Sequence, residues 1–224
     1  MAEPTSPRPS APVAPPGVDA DPDWPEGLVA VGGALEPDLL LRAYRSGIFP
    51  WSSEPAVTWW SPDPRAIFDL ETFEANRSLR KSIRRGGWTF TTDRDFTGVM
   101  RACAEPTPDR PSTWIGDDFV RSYGELNRRG AAHSVEVWEG TEMVGGLYGV
   151  AIGGFFGGES MFRRRTDASK AAVTFLAGHL RSRHFELLDA QVPTPHLLSL
   201  GARTIPRADY LRRLRRAISR DVTF

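Results

Sequence analysis

The stretch 133–162 constrains the fold more than any other part of the chain. It reads HSVEVWEGTEMVGGLYGVAIGGFFGGESMF, in which apolar and polar residues alternate around a Glu-Gly turn and then around pairs of glycines. Alternation with a period of two is typical of strands with one buried face, and glycine-containing turns join such strands into hairpins. The pattern predicts a three-stranded antiparallel meander, which the rest of the chain must cover.

Helical signals lie on both sides of this meander. Pro37 and Gly47 mark the first position and the end of an early helix. Further helices are predicted over 76–85 and 93–104, from a cap at Asp117 to Gly130, over 167–183 and after Pro206, with added strands over 88–92 and in ELLDAQV. A meander followed by a helix and another strand indicates an α+β fold, a mixed β-sheet with flanking helices.

Composition divides the chain into three parts. Eight of the 19 prolines lie in the first 25 residues, which cannot bury enough apolar surface to offset the entropy lost on ordering. We therefore predict a disordered tail over 1–25. Trp51, Trp59 and Trp60 bring much apolar area into a loop-rich stretch, which predicts a small N-terminal domain over 26–62 packed against a larger domain over 63–224.

Several classes of protein are excluded by what the sequence lacks. No apolar run approaches the ~20 residues of a membrane-spanning helix and the N-terminus has no secretory signal, so a cytoplasmic protein without a membrane partner is expected. The single cysteine, Cys103, excludes an intramolecular disulfide and is expected to be buried. The four histidines lack metal-ligand spacing, and no nucleotide-binding glycine motif or serine-hydrolase elbow is present, so neither metal nor cofactor is expected.

The predicted helix over 76–85 carries a stripe of cations. Its members stand at positions i, i+3, i+4, i+7 and i+8, so they share one face: Arg77, Arg80, Lys81, Arg84 and Arg85. Like charges at these spacings repel, and no acidic residue is interleaved with them. The stripe is either a solvated surface or a binding site for a polyanion such as an RNA backbone.

Polar residues interrupt two strands that are otherwise apolar. Glu159 follows FFGG, and Asp189 and Gln191 stand two apart in LLDAQV, where a strand would place them on one face. Buried polar groups without partners cost several kcal/mol, so these residues form either a satisfied network or a functional site. Aromatic and methionine side chains beside Glu159 are typical of the wall of a small-ligand pocket.

Eleven short blocks of the sequence resemble one known family, the leucyl/phenylalanyl-tRNA–protein transferases. They run in family order from Gly27 to Leu211: GLVAVGGAL, AYRSGIFPW, WWSPDPRAIF, STWI, HSVEVWEG, VGGLYGV, FFGGESMF, DASKAA, LLDAQV, HLLSLGA and IPRADYL. The resemblance implies a small N-terminal domain followed by a domain similar to N-acetyltransferases (the GNAT fold). It also implies that no acetyl-CoA is used, and the chain lacks the [QR]-x-x-G-x-[GA] cradle for that cofactor.

The resemblance further implies an activity and its partners. Leucine or phenylalanine, with methionine as a further candidate, is moved from aminoacyl-tRNA (Leu-tRNA or Phe-tRNA) to the N-terminal Arg or Lys of acceptor proteins, which marks them for N-end-rule degradation. An aminoacyl ester is already activated, so this reaction needs orientation of the amine rather than ATP. A monomer is expected.

Site residues follow from the same resemblance. Glu159, Asp189 and Gln191 match the family's polar active-site residues, and the hypothesis is that Asp189 polarises Gln191, which positions the amine, while Glu159 holds the cationic acceptor or the ester end of the tRNA. The apolar pocket for the aminoacyl group and the terminal adenosine is matched by Trp51, Trp114, Phe156 and Met161.

Three positions depart from the family pattern. Leu147 stands where methionine is frequent and Leu176 where phenylalanine can line the pocket, which leaves the preference between leucine and phenylalanine open. Asp167 replaces an asparagine before ASK and is expected to cap the helix equally well.

Three other functions are compatible with parts of the pattern. A CoA-dependent N-acetyltransferase would share the fold, and a non-catalytic RNA-binding module would use only the cationic stripe. A peptidoglycan-type aminoacyl-tRNA transferase would share the donor, although such chains are usually longer. Binding of acetyl-CoA, or RNA binding without aminoacyl transfer, distinguishes the first two from the transferase.

Overall fold

The computed structural model describes residues 25–107 and 111–224, which form two β-sheets and seven helices. The predicted disordered tail lies outside the described residues, apart from Pro25. A small antiparallel sheet has the strand order β1-β3-β2, and a seven-stranded mixed sheet has the order β10-β4-β9-β8-β7-β6-β5. Only the β8–β9 pair of the described strands is parallel. The α+β prediction, a mixed sheet with flanking helices, is confirmed.

The strands are short except in the meander. They are β1 Leu28–Val31, β2 Phe49–Ser52, β3 Thr58–Trp60, β4 Arg65–Phe68, β5 Thr89–Thr92, β6 Ala132–Glu139, β7 Glu142–Ile152, β8 Phe155–Arg163, β9 Leu187–Gln191 and β10 Arg203–Ile205. The helices are α1 Pro37–Arg45, α2 Arg77–Gly86, α3 Phe96–Ala104, α4 Asp117–Arg128, α5 Ala168–Ser182, α6 Pro195–Leu200 and α7 Arg207–Ile218.

The meander over β6, β7 and β8 is confirmed, and its glycines occupy the positions that require them. Gly140 and Gly153 turn the chain between the strands with φ values of 61° and 54°, where an L side chain is strained. At Gly149, an added Cβ would lie 2.3 Å from the carbonyl oxygen of Gly157 on the neighbouring strand. Close backbone approach between β7 and β8 therefore explains the glycine at this position.

Several helix starts differ from the sequence predictions, and α2 begins at Arg77 with Asn76 as its cap. Helix α3 begins at Phe96, because the Asp95 side chain accepts a hydrogen bond from the Gly98 N–H and caps it there. The predicted cap at Asp117 is wrong, since Asp117 is the first helical residue and lies in the acidic first turn of α4. Asp167 precedes α5 with φ 68°, and its carboxylate pairs with Lys170 at 3.2 Å instead of capping the helix.

Helices cover both faces of the large sheet. On one face, α1, α3, α4 and α7 pack with the small sheet into a first core cluster, in which Cys103 is buried as expected. On the other face, α2, α5 and α6 contribute to a second cluster. Among the described residues, no helix combines the length and the apolar character needed to span a bilayer.

Candidate active site

An apolar pocket with a cavity of about 190 Å³ opens where the small sheet meets the large one. Its walls come from β2, β4, β7, β8 and β9, from helices α5 and α6, and from the segment before α4. Apolar side chains that line it are Phe49, Trp51, Phe68, Trp114, Leu147, Met161, Val173, Leu176, Leu188 and Leu197. Of the residues predicted for an apolar pocket, three are therefore brought together, along with both leucines that depart from the family pattern.

Phe156, the fourth predicted pocket residue, lies in the protein interior instead. It is fully buried, pairs with Ala151 on β7 and stacks on Phe224 at a centroid distance of 5.5 Å. Phe156 and Met161 pack in the same core cluster on one face of the sheet. Because they stand at opposite ends of β8, only Met161 reaches the pocket, and we assign Phe156 no role in it.

Glu159 is placed in the pocket by a β-bulge. Tyr148 of β7 pairs with Ser160, and Gly149 pairs with Gly158, so Glu159 is the extra residue of β8. A bulge commonly re-aims a side chain beside an active site. Here it puts a carboxylate into the lining of an apolar pocket.

The Glu159 carboxylate accepts hydrogen bonds at both oxygens. The side-chain amide of Gln191 donates to Oε1 at 2.7 Å, and the Tyr123 hydroxyl donates to Oε2 at 3.2 Å. The hydroxyls of Tyr123 and Tyr44 are in turn hydrogen-bonded to each other. Burial, and then the charge of Glu159, raise the pKa of both tyrosines well above 10, so they remain protonated donors at neutral pH.

The surroundings of Glu159 also change its own protonation. Burial raises its pKa from 4.5 to about 7, and the charge of Asp189 acts in the same direction. Hydrogen bonds from Tyr44 and Tyr123, together with the charge of Arg65, keep the pKa from rising further. Near neutral pH the group is therefore present in both protonation states, which suits a residue that takes part in proton transfer or binds a cation.

Asp189 lies behind this pair and is bound by Arg65. The Arg65 Nε and Nη2 atoms donate to the two carboxylate oxygens of Asp189 at 2.9 and 2.6 Å, and both side chains are 1% exposed. The Tyr210 hydroxyl also donates to Asp189, at 2.9 Å. Burial alone would lower the pKa of the Arg65 guanidinium, but the adjacent Asp189 carboxylate raises it, so Arg65 stays a cation.

The contact between Asp189 and Gln191 runs through the backbone. Gln191 has a left-handed conformation with φ 61°, and its backbone N–H donates to Asp189 Oδ1 at 2.8 Å. Both residues line the pocket. The Gln191 side-chain amide donates to Glu159, so Asp189 reaches Gln191 through the turn of the main chain and not through the amide.

The gap that holds the pocket begins where two strands stop pairing. The parallel pairing of β8 with β9 covers three residue pairs and ends at Gly157 and Asp189. Beyond that point β8 pairs with β7 and β9 with β4 in the described residues. Glu159 and Gln191 therefore face each other across the opening between β8 and β9, joined by their side-chain hydrogen bond.

Four residues of this network were not identified from the sequence. Tyr44, Tyr123 and Tyr210 come from three different helices, and Arg65 begins strand β4. Arg65 had one local signal in the sequence, a cation directly before the apolar residues Ala66, Ile67 and Phe68. The three tyrosines had no such signal, since each lies on the buried face of its helix, where an aromatic residue is common.

The five cations of α2 share an exposed face, as their spacing predicts. All are exposed, whereas Leu79 on the opposite side is buried. Arg80 lies 3.5 Å from Glu74, and the other four form no ion pair with any described residue. The structure thus brings the stripe together as one surface, separate from the pocket.

An α+β fold with an apolar pocket that ends at hydrogen-bonded polar groups is the arrangement typical of a binding or active site for a small apolar group. Two family models match the chain: leucyl/phenylalanyl-tRNA protein transferase over residues 67–215, and the N-terminal domain of the same family over residues 33–63. The chain belongs to the leucyl/phenylalanyl-tRNA–protein transferase family.

Similar proteins agree with this assignment. The leucyl/phenylalanyl-tRNA–protein transferase of Shewanella sp. (strain W3-18-1) is 53% identical over 188 residues, which is 84% of this chain and 80% of that protein. The enzyme of the same name from Shewanella oneidensis is 51% identical over 191 residues, 85% of this chain and 81% of that protein. The solved structure of L-PGS from Bacillus licheniformis has a TM-score of 0.43 at 14% identity, covering 72% of this chain and 54% of that one, too weak a likeness to support an argument.

Proposed function

We propose that this chain transfers leucine or phenylalanine from aminoacyl-tRNA to the N-terminal Arg or Lys of acceptor proteins and so marks them for N-end-rule degradation. The observation that carries the proposal is the pocket, whose apolar walls end at the Glu159–Gln191 pair. An apolar amino-acid side chain fits such walls, and its ester then lies beside groups able to orient an amine.

The aminoacyl side chain occupies the part of the pocket formed by Leu147, Met161 and Leu176. Trp51, which is 38% exposed, lies at the rim together with the half-buried Trp114, where both rings suit the terminal adenosine. A pocket of this shape favours side chains that are unbranched at Cβ. Valine and isoleucine are disfavoured by only about 1–3 kcal/mol for each misplaced methyl group.

Glu159 and Gln191 serve the acceptor. The Gln191 amide orients the incoming α-amino group against the ester carbonyl, and the Glu159 carboxylate attracts the cationic acceptor. An α-amino group has a pKa of about 7.7–8.0, so it loses its proton readily near neutral pH. Neither ATP nor a covalent enzyme intermediate is needed, because the ester is already activated.

The tRNA body is bound by the cations of α2, and the enzyme works in the cytoplasm as a monomer. Four of these five cations lack an ionic partner among the described residues, so phosphates can pair with them at little cost. We further propose that the seven-stranded sheet belongs to an N-acetyltransferase-like domain over 63–224, with a smaller domain over 26–62. No cofactor is required by this reaction.

The test is transfer of labelled leucine from Leu-tRNA to a peptide with an N-terminal arginine, without ATP. Wild type should label this peptide and leave its N-acetylated form unlabelled. Gln191→Ala and Glu159→Ala should lose most of the transfer but keep tRNA binding, and Glu71→Ala, which removes an exposed carboxylate, should match wild type. Binding of tRNA without any transfer by wild type would leave an RNA-binding module as the function, and acetylation of the peptide from acetyl-CoA would indicate the acetyltransferase.

A further inference from the structure

Arg65 is a fully buried cation that contacts three separate parts of the chain, which are the segment 47–49, Asp189 and Tyr210. Besides its two bonds to Asp189, its Nη1 atom donates to the carbonyl of Gly47 at 3.2 Å. Its guanidinium carbon lies 4.7 Å from the centre of the Phe49 ring and 4.4 Å from that of Tyr210. A buried guanidinium between two rings has no freedom to change its orientation, so it fixes the carboxylate to which it is bound.

The hydrogen-bonding capacity of Asp189 is completely used. Its Oδ1 accepts from Arg65 Nε and from the Gln191 backbone N–H, and its Oδ2 accepts from Arg65 Nη2 and the Tyr210 hydroxyl. A carboxylate offers about four lone-pair sites. With four donors in place, Asp189 has no site left for a substrate proton, so it does not act as a general base.

Asp189 instead stabilises the backbone conformation of Gln191. Gln191 is one of the few described non-glycine residues in the left-handed region, at φ 61°, a conformation that costs about 1 kcal/mol or more for such a residue. The bond from its N–H to Asp189 Oδ1 stabilises that turn, and the turn aims the side-chain amide at Glu159. The orientation of the amide therefore depends on where Oδ1 lies.

We propose that Arg65 is a positioning residue of the transfer reaction, acting through Asp189 on the turn that carries Gln191. This inference rests on the proposed function, in which the Gln191 amide orients the acceptor amine. Only arginine can bind both carboxylate oxygens through a planar fork; lysine retains the charge but makes a single point contact. Tyr210 supports the same carboxylate from α7.

The experiment compares Arg65→Lys and Tyr210→Phe with wild type in the leucine transfer assay. The matched control is Arg203→Lys on the neighbouring strand β10, where Arg203 forms a half-exposed ion pair with Asp69 at 2.7 Å. We measure kcat, KM for Leu-tRNA and the fraction of folded protein for each. Displacement of a reacting group by about 1 Å can cost about 100-fold in rate, so Arg65→Lys should lower kcat by ten- to 100-fold with KM for Leu-tRNA nearly unchanged.

A second comparison distinguishes positioning from a general loss of structure. In a Gln191→Ala background the amide is absent, so adding Arg65→Lys should change kcat less than twofold if Arg65 acts through that amide. Tyr210→Phe, which deletes one hydroxyl and keeps the ring, should show the same dependence on Gln191 with a smaller effect.

Two results would overturn the inference. One is a folded Arg65→Lys protein with wild-type kcat; the other is a loss of kcat that is the same with and without Gln191→Ala. If Arg65→Lys does not fold, Tyr210→Phe decides the matter by the same two criteria. Absence of transfer by wild type in this assay would count against the proposed function itself, which is a separate outcome.

Discussion

Ionisation of Glu159 should destabilise the folded protein, and Glu159→Gln should remove that cost. Below pH 4.5 the carboxyl is protonated in both the folded and the unfolded chain, so it does not make the free energy of unfolding depend on pH. Between 4.5 and about 7 the unfolded chain loses the proton while the folded protein retains it, so stability falls as pH rises. Each pH unit in this window lowers the free energy of unfolding by about 1.4 kcal/mol, so at pH 8 the ionisation of Glu159 costs at most about 3 kcal/mol of stability.

The assay is denaturant unfolding of wild type and Glu159→Gln at pH 4.5, 6 and 8. The variant keeps an amide oxygen that can accept from Gln191, so its gain in the free energy of unfolding should be near zero at pH 4.5 and largest at pH 8. Glu71→Gln is the control, an exchange of the same kind at an exposed position outside the pocket. A stability difference that stays constant from pH 4.5 to 8 would refute the reasoning that burial holds the proton on Glu159.

Three further predictions concern the pocket, the proposed tRNA-binding surface on α2 and the sheet. Leu176→Ala enlarges the pocket, so transfer of phenylalanine relative to leucine should rise by up to about tenfold in a competition between Phe-tRNA and Leu-tRNA. Arg84→Gln with Arg85→Gln should raise KM for aminoacyl-tRNA and reduce the slope of log affinity against log salt by about one per residue, whereas an unchanged slope would show that these cations do not meet phosphates. Gly149→Ala forces a Cβ to within 2.3 Å of the Gly157 carbonyl oxygen and should cost about 1–3 kcal/mol of stability, measured as a lower denaturation midpoint with unchanged slope.

The parts of the fold that could be predicted are those with a signal inside a short window. Alternation and glycine turns identified β6, β7 and β8, and Pro37 and Gly47 bounded α1. Strand β10 was not identified, because three residues are too few to show a period. Strand β4 was not identified either, because its four residues are all buried and so show no alternation between a buried and an exposed face.

The residues of the candidate site can likewise be divided into those with a signal in the local sequence and those without one. Glu159 and Gln191 were found because polar residues stand out within apolar strands. Their supports were missed because the contacts are distant in sequence: Arg65 and Asp189 are 124 residues apart, and Tyr44 and Tyr123 are 79 apart. The pairing of the Gln191 amide with Glu159 was also hidden, since a left-handed residue and a β-bulge both break the regular alternation on which the prediction relied.

The opening between β8 and β9 has a consequence for how this enzyme can diversify. Its position is determined by main-chain pairing, which ends at Gly157 and Asp189, and not by any one lining side chain. We therefore expect exchanges at Leu147 or Leu176, which line the pocket, to change the shape of its walls without closing the cleft. Under the proposed function, the walls select the aminoacyl group and the polar network orients the amine, so new aminoacyl donors can be sought by repacking the walls while the polar network is left intact.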